Sequence, residues 1–215
     1  MQRVLTFLIT SGPTREYIDP VRYLTNASSG KTGKYLAEAA LKKGHKVIFV
    51  SGPGGALPEG SARVHNVVSA RGMFRKTAAN FSKADIVIGA AAVADYSPSR
   101  ISRVKIKSGK DSASISLKKN TDILKYLGAR KGKKVVAGFA LETGSVNENA
   151  RRKLIDKNLD FIVANGPENI GGEKANAAII RRDRSRLNLK NVSKRILAAR
   201  IIDETERVFY SNNNG

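Results

Sequence analysis

Cysteine and tryptophan are both absent from this 215-residue sequence. Without cysteine the chain has no disulfide, no thiolate metal ligand and no thiol nucleophile of its own, which fits a reducing compartment. Aromatic residues make up only 6% of the chain, so there is little material for the base-stacking platform of a single-strand nucleic-acid binder. Any catalysis must therefore use other groups.

Long apolar runs are missing as well. No stretch approaches the roughly 20 apolar residues that a membrane-spanning helix needs, and the first residues do not resemble a signal peptide. We therefore expect a soluble, cytoplasmic protein with no membrane partner. The hydrophobic share of 41% and the charged share of 27% are typical of a globular protein. The length favours a single domain over residues 1–210, with a frayed tail at 211–215.

Acidic residues are scarce relative to basic ones. The chain has 39 lysines and arginines against 18 aspartates and glutamates, which gives a net charge of +21. Such an excess favours a polyanionic partner: nucleic acid, an anionic membrane or a phosphorylated small molecule. A basic α/β domain that binds nucleic acid therefore stays open as an alternative function, and the basic run 181–186 also motivates it.

Hydrophobic periodicity predicts strands and helices that alternate along the chain. The strands are continuous Val, Ile and Ala runs, which are typical of a parallel sheet covered by helices on both faces. The sequence therefore predicts a doubly wound, Rossmann-like α/β fold with a mostly parallel sheet. Strands are expected at 4–10, 46–50, 63–68, 85–93, 134–140 and 160–164, helices at 31–43, 71–82, 121–127 and 146–157, a hairpin or edge pair at 177–189 and a closing helix at 193–209.

The segment 97–119 does not fit this alternation. It is polar, basic and long for a connection, and loops of this length in compact domains are usually functional or mobile. We predict that it forms a flexible basic flap over the site.

Ligands of an open parallel sheet bind beyond the carboxyl ends of its strands. The loop after the first predicted strand contains Gly12, Ser28, Ser29 and Gly30 and leads into a predicted helix at 31–43. Free N–H groups and the positive end of the helix dipole favour a phosphate there, although a simple N-cap is the alternative. Neither the P-loop motif nor the dinucleotide fingerprint is complete in this chain.

Further candidates lie after the later strands. Ala90–Ala92 are small enough to let the backbone approach a ligand, and Asp95 could meet a ribose hydroxyl or a metal, or cap a turn. Lys153 and Lys157 lie four residues apart, on one face of a predicted helix, which suits a phosphate chain. No Ser-His-Asp triad and no metal-binding cluster is evident in the sequence.

Seven motifs follow one another along nearly the whole chain: ITSGPTREYIDPVRYLTNASSGKTG, AAAVADY, KIK, KNTDI, GFALET, ARRKLIDKNLD and VAN. Their order and approximate spacing resemble those of phosphopantothenoylcysteine synthetase, the ligase of coenzyme A biosynthesis that is often the carboxy-terminal half of a bifunctional protein. A series of this kind is far more specific than any single loop.

The resemblance implies a reaction in which 4'-phosphopantothenate is joined to cysteine. The family activates the carboxylate with a nucleoside triphosphate, usually CTP, to give an acyl-cytidylate and pyrophosphate, and cysteine then displaces CMP. The family also implies Mg²⁺, a homodimer with contacts around residues 19–26, and fusion or association with a decarboxylase flavoprotein. A basic cleft would attract both anionic substrates and stabilise charge at the α-phosphate.

The same resemblance implies roles for individual residues. Lys105 corresponds to the lysine that assists acyl-cytidylate formation, Asn26 to the asparagine that holds the activated acyl group, and Arg22 to its partner. One departure is that the family's common KIKK is Lys105-Ile106-Lys107-Ser108 here. Residues expected to bind the nucleotide are Gly12, Ser29, Gly30, Ala90, Ala91, Ala92, Asp95, Lys105, Asn120, Thr121, Asp122, Ile123, Phe139, Lys153 and Lys157.

Overall fold

The computed structural model describes residues 3–107, 113–141, 146–169 and 172–213. The strands are β1 Thr6–Ser11, β2 Arg15–Tyr17, β3 Tyr23–Thr25, β4 Lys46–Ser51, β5 Arg63–Asn66, β6 Ile86–Gly89, β7 Tyr96–Pro98, β8 Leu117–Lys119, β9 Val135–Leu141, β10 Phe161–Asn165, β11 Lys174–Arg181 and β12 Arg186–Ser193. The helices are α1 Lys31–Lys42, α2 Ala70–Phe81, α3 Ile123–Gly128, α4 Val146–Asp156 and α5 Lys194–Asn213, with a 3₁₀ turn at Pro167–Asn169.

Eight of these strands form one sheet in the order β12-β11-β10-β9-β6-β1-β4-β5. The six strands from β10 to β5 are parallel, and β11 and β12 add an antiparallel edge. Counted along the chain, the parallel strands lie in the order 3-2-1-4-5-6, which is the Rossmann arrangement. The predicted fold class is confirmed.

Both faces of the sheet are covered, which explains why its strands are apolar throughout. In β1, Phe7 and Ile9 belong to the core on one face and Leu8 to the core on the other, and all three are fully buried. Helices α1 and α5 cover the first face, while α2, α3 and α4 cover the second. A strand buried on both sides has no polar face, so it loses the two-residue alternation of a half-buried strand.

The structure differs from the sequence prediction in two connections and at the ends of two elements. The loop after β1 contains an antiparallel hairpin, β2–β3, and the ends of the predicted flap pair as the ribbon β7–β8. The strand expected at 85–93 ends at Gly89. Helix α5 continues to Asn213 rather than ending at Phe209, so 211–213 are helical and not a frayed tail. Asn213 Nδ2 donates to Phe209 O at 2.8 Å and holds this last turn.

Across the described ranges, no helix combines the length and the apolar character needed to cross a membrane.

A close backbone contact fixes the end of β4 against the loop after β1. Gly52 N donates to Ser11 O at 2.9 Å, and a Cβ added at Gly52 would lie 1.7 Å from Pro13 O. Because the obstacle is backbone rather than a flexible side chain, the strand end would have to move. We therefore expect Gly52→Ala to lower the free energy of unfolding by about 3 kcal/mol, measured by urea denaturation.

Gly72→Ala provides the matched control. Gly72 lies in α2, and a Cβ there would make only ordinary contacts at 3.5 Å or more. Alanine should change the stability by no more than about 1 kcal/mol, in the stabilising direction. Similar losses in both variants would show that the contact at Gly52 does not constrain the strand end.

Candidate functional site

The strand order reverses between β1 and β6, at the centre of the sheet. In open α/β sheets a crevice forms at such a point, beyond the carboxyl ends of the two strands. Ala92 N donates to Gly12 O at 2.9 Å, and Ala90 N donates to Thr10 O at 3.1 Å. Two sequence candidates, the loop at Gly12 and the Ala90–Ala92 segment, are therefore adjacent at this crevice.

A first cavity of about 190 Å³ opens where α1 begins. One wall is the loop and first turn of α1, and the opposite wall is formed by the ends of β6, β9 and β10. Predicted nucleotide-binding residues among its lining are Ser29, Gly30, Ala90, Ala91, Ala92 and Phe139.

The N-terminus of α1 carries no side-chain cap. Gly30 is the N-cap residue, in a left-handed conformation with φ 71°, and it has no side chain to bond the first turn. Ser28 Oγ and Ser29 Oγ accept only long hydrogen bonds, from Gly30 N at 3.4 Å and Lys31 N at 3.5 Å. The N–H groups of the first turn are thus available to an anion, which favours the phosphate interpretation over the N-cap alternative.

Close packing brings this helix end to the crevice. A Cβ at Gly33 would lie 2.2 Å from Ser11 Oγ, so α1 could not approach β1 this closely with a larger residue. Ser11 Oγ donates to Gly30 O at 3.1 Å and joins the helix start to the end of β1.

A second cavity of about 160 Å³ lies on the other side of the crevice, beside α3. It shares Ala91 and Phe139 with the first cavity, so the two adjoin and could hold different parts of one extended ligand. Its lining contains most of the remaining candidates: Asp95, Asn120, Thr121, Asp122, Ile123 and Lys157.

Asp122 makes a helix-capping hydrogen bond and a salt bridge at the second cavity. Its Oδ1 accepts from Lys125 N at 3.0 Å and caps α3, and its Oδ2 lies 3.0 Å from Lys157 Nζ. Burial would raise the pKa of Asp122, but these hydrogen bonds and the lysine charge together hold it below its ordinary value. The carboxylate is therefore ionised at neutral pH and positions Lys157 at the cavity.

Asn120 holds the segment after β6 in place. Its Nδ2 donates to Ala94 O at 2.8 Å, and its Oδ1 accepts from Ser97 Oγ at 2.8 Å. Its backbone N–H donates to Asp95 O at 2.8 Å. Because both ends of the side chain already have partners, Asn120 shapes the cavity wall and fixes Asp95 at the mouth.

Buried Asp19 joins the β2–β3 hairpin to the first part of the predicted flap. Its carboxylate accepts hydrogen bonds from Val21 N and Arg22 N at 2.8 Å and from Ile106 N at 3.2 Å. Arg22 Nε lies 3.1 Å from Asp19 Oδ2, and the same guanidinium donates to Ile106 O. These contacts bring two predicted catalytic residues, Arg22 and the exposed Lys105, to the same place.

Removing the charge of Asp19 should free this part of the flap. Burial would raise the pKa of Asp19, but the three backbone hydrogen bonds and the charge of Arg22 hold it below the ordinary carboxyl value. Asp19 is therefore ionised at neutral pH. Its stabilising contacts are lost only when the pH falls through that lowered pKa. We expect Asp19→Asn to speed tryptic cleavage after Arg103, Lys105 and Lys107 about 10-fold, measured by limited proteolysis.

Asp183→Asn is the control for this experiment. Asp183 also accepts hydrogen bonds from a nearby residue, Ser185, but it lies in the exposed β11–β12 turn. Equal cleavage of the flap in both variants would contradict the role of Asp19.

Asn26 lies at the rim of the crevice. Its Nδ2 donates to Ala92 O at 3.3 Å and to Val93 O at 3.2 Å. The side chain thus bridges the loop before α1 and the segment after β6, next to Ala27 in the wall of the first cavity.

Not every predicted site residue lines a cavity. Gly12, Arg22, Asn26 and Lys105 lie outside both linings, as does Lys153, a half-buried residue of α4. Lys157 follows the end of α4 and lines the second cavity, so the two lysines do not face it together.

Several polar residues of the first cavity were missed as site residues by the sequence analysis, and Asn165 and Lys194 are two of them. Asn165 ends β10 within the VAN motif, and its position after a strand is a signal that could have identified it. Lys194 begins α5 and is only 5% exposed, and no sequence pattern distinguishes it from the many exposed lysines.

Basic residues lie both at the carboxyl ends and at the amino ends of the parallel strands. Lys31, Lys157 and Lys194 are at the carboxyl edge, around the cavities. The basic turn 181–186 is at the opposite edge, because Arg181 pairs in register with Phe161 at the start of β10. Arg181 is also bound to Glu204, with its Nε 2.6 Å from Oε1. The basic turn is therefore separate from the crevice.

No group of three metal-ligating side chains occurs among the residues that the structure describes. At the mouth of the second cavity, Asp95 is exposed, while Asp122 is engaged by α3 and Lys157. Mg²⁺ bound by one or two carboxylates and several substrate phosphate oxygens fits such a donor set, whereas an all-protein metal site does not.

Proteins of one family resemble this chain in sequence and in structure. Residues 3–208 match the profile of the family described as DNA/pantothenate metabolism flavoprotein C-terminal domain. The coenzyme A biosynthesis bifunctional protein CoaBC of Bacillus subtilis is 46% identical over 159 residues, which cover 74% of this chain and 39% of that protein. CoaBC of Borreliella burgdorferi is 37% identical over 198 residues, covering 91% of this chain and 50% of that protein.

A solved structure is also similar. The crystal structure of the C-terminal domain of a CoaBC protein superposes with a TM-score of 0.83 at 37% identity and covers 96% of both chains. The chain spans half or less of the length of the two CoaBC proteins.

Proposed function

The chain belongs to the family of the DNA/pantothenate metabolism flavoprotein C-terminal domain, and we propose that it is the ligase that joins 4'-phosphopantothenate to L-cysteine in coenzyme A biosynthesis. The proposal covers CTP as the activating nucleotide, Mg²⁺ as its counter-ion and an acyl-cytidylate intermediate.

The proposed reaction has two transfers. A carboxylate oxygen of 4'-phosphopantothenate attacks the α-phosphorus of CTP, and the bond from that phosphorus to the bridging oxygen breaks as pyrophosphate leaves. The cysteine nitrogen then attacks the acyl carbon, the bond from that carbon to the phosphate oxygen breaks, and CMP leaves as the amine proton passes to solvent. The thiol belongs to the substrate, so the enzyme needs no cysteine of its own.

The observation that carries the proposal is the pair of adjoining cavities at the strand-order reversal. The first lies at an uncapped helix N-terminus, which suits phosphates, and the second is lined by the motif residues 120–123. A nucleotide spanning the shared wall at Ala91 and Phe139 would place its α-phosphate near Asn26, whose side chain donates to Ala92 O, and Lys105 would reach it from the Asp19-anchored segment.

Each of the proposed catalytic residues has a task in this arrangement. Lys105, supported by Arg22, would stabilise the negative charge that develops at the α-phosphate. Asn26 would hold the activated acyl group at Ala92 for attack by cysteine. Mg²⁺ would be bound mainly by triphosphate oxygens, with Asp95 as the exposed carboxylate at the mouth.

The proposal includes a cytoplasmic homodimer, alone or fused to a decarboxylase flavoprotein. The hairpin β2–β3 supports this, since it exposes Val21 and Tyr23, with 58% and 36% of their surface accessible, next to the Asp19 anchor. A second subunit packed on the hairpin would cover this apolar surface beside the site.

The direct test is pyrophosphate release with 4'-phosphopantothenate and Mg²⁺, using CTP or ATP, each with and without cysteine. We expect multiple turnovers with CTP only when cysteine is present, because the acyl-cytidylate otherwise stays bound. Turnover with ATP alone would contradict the choice of nucleotide. A folded dimer that releases no pyrophosphate with either nucleotide would contradict the ligase function, and duplex binding that weakens with salt would then favour nucleic acid.

A further inference from the structure

Lys194 is a buried cation at the first cavity. It is 5% exposed and lines the cavity together with the first turn of α1. Its backbone N–H donates to Glu173 O at 2.8 Å, which fixes the start of α5 at this point. Within the described parts of the chain, its ammonium has no hydrogen bond and no ion pair.

The charges near Lys194 do not neutralise it. Lys31 lies close enough to repel Lys194, and the carboxylate whose charge attracts it, Glu173, is already bound by Lys31 Nζ and by Tyr35 Oη at 3.1 Å. Burial and the charge of Lys31 lower the pKa of Lys194, and Glu173 opposes them only in part. A buried ammonium without a counter-ion is costly, so its retention here favours a ligand that supplies the negative charge.

The uncapped N-terminus of α1 also lacks a compensating negative charge. This helix has 12 residues, no side-chain cap and no acidic residue in its first turn, so the positive end of its dipole is not compensated by the helix itself. The helix end and Lys194 therefore place two uncompensated sources of positive potential at one cavity, while the charge of Lys31 is paired with Glu173.

We propose that Lys194 binds phosphoryl oxygens of the nucleoside triphosphate at the N-terminus of α1, an assignment that rests on the proposed function. CTP and 4'-phosphopantothenate both carry phosphoryl groups. The triphosphate is favoured because the first cavity adjoins the second, whose lining contains residues 120–123 that are expected to bind the nucleotide. Lys194 would thus be a substrate-binding residue of the activation step.

Binding of inorganic tripolyphosphate to the full chain tests this without catalysis. We expect Lys194→Met to weaken binding about 10- to 100-fold in calorimetry, since a hydrogen-bonded charge is lost, and Lys194→Arg to retain most of the affinity. Lys190→Met is the matched control, because it removes an equal charge from an exposed lysine of β12. Unchanged affinity in Lys194→Met would overturn the proposal.

Thermal unfolding separates a binding role from a structural one. If Lys194 is kept for a ligand, Lys194→Met should raise the Tm of the free protein by about 2–4 °C, because methionine needs no counter-ion in the buried site. The stabilisation of the wild type by tripolyphosphate should largely disappear in this variant. A lower Tm in the free variant, together with a normal ligand-induced shift, would show that Lys194 only supports the fold.

Steady-state kinetics distinguishes the two phosphate sources. A KM for CTP that rises about 10-fold or more in Lys194→Met, with an unchanged KM for 4'-phosphopantothenate, is the expected result. A rise only for 4'-phosphopantothenate would overturn the assignment to the triphosphate. Failure of the ligase function would instead appear as wild-type protein that binds tripolyphosphate normally but has no turnover.

Discussion

Replacing Lys105 with glutamine is expected to slow pyrophosphate release about 100- to 1000-fold, the usual loss when one stabilising group for transition-state charge is removed. Glutamine keeps an unbranched polar side chain, but it is shorter than lysine and carries no charge. The measurement is single-turnover pyrophosphate release with saturating CTP and 4'-phosphopantothenate. This design isolates activation from the later reaction with cysteine.

The structure indicates why this one charge should matter. Lys105 is exposed in the free protein and lines neither cavity, so it contributes little to the ground state. Its neighbour Ile106 is nevertheless fixed to Asp19, and Arg22 donates to Ile106 O. The anchor ties the segment that carries the lysine to the β2–β3 hairpin, and this hairpin leads directly to Asn26 at the rim of the crevice. A group that acts chiefly in the transition state should lower kcat without a matching rise in KM.

Lys107→Gln is the control for Lys105→Gln. Lys107 belongs to the same exposed segment and the same KIK motif, so both variants remove one charge from the flap. If the segment acts only through its net charge, the two variants will be equally slow. Slow release confined to Lys105→Gln would support a specific role, and Lys105→Arg should then recover part of the rate.

The regular part of the fold could be predicted from sequence because burial determines it. Residues of β1, β4 and β10 are apolar on both faces, and their predicted bounds agree with the structure to within about two residues. The hairpin β2–β3 could not be predicted in this way. Its strands have three residues each, and it depends on the turn at Asp19 and on a contact between Tyr17 and Tyr23, whose ring centroids are 5.5 Å apart.

The candidate site was predictable where residues follow strands in the chain. Ala90–Ala92 line the first cavity because they follow β6 at the carboxyl end of the sheet, whereas residues 120–123, which line the second cavity, were expected from the resemblance of the KNTDI motif. Asp19 and Lys194 could not be found in that way. The importance of Asp19 comes from a hydrogen bond to Ile106, 87 residues away, and that of Lys194 from the packing of α5 beside α1. Both depend on contacts between distant parts of the chain.

Asn26→Asp should separate the two chemical steps. We expect this variant to release one equivalent of pyrophosphate per site in a rapid burst and then to turn over about 100- to 1000-fold more slowly than the wild type. The measurements are rapid-quench pyrophosphate release and recovery of the acyl-cytidylate by mass spectrometry. Asn188→Asp, the same change at an exposed position of β12, should behave like the wild type.

The hydrogen bonds of Asn26 explain the expected trapping. Its Nδ2 donates to Ala92 O and Val93 O, whereas an aspartate would place a negatively charged oxygen against the same two carbonyls. The side chain would turn away from them, so it could no longer hold the acyl group in the orientation that cysteine needs. The proposed activation step does not use this contact, and we therefore expect it to persist.

Combining the two substitutions tests the order of the steps. If Lys105 acts in activation and Asn26 acts only afterwards, the double variant should resemble Lys105→Gln, with slow pyrophosphate release, no burst and no accumulated acyl-cytidylate. A burst in the double variant would mean that activation does not depend on Lys105. Loss of the burst in Asn26→Asp alone would mean that Asn26 already acts in the first step, where its bridge to the Ala90–Ala92 segment would then position the carboxylate for attack.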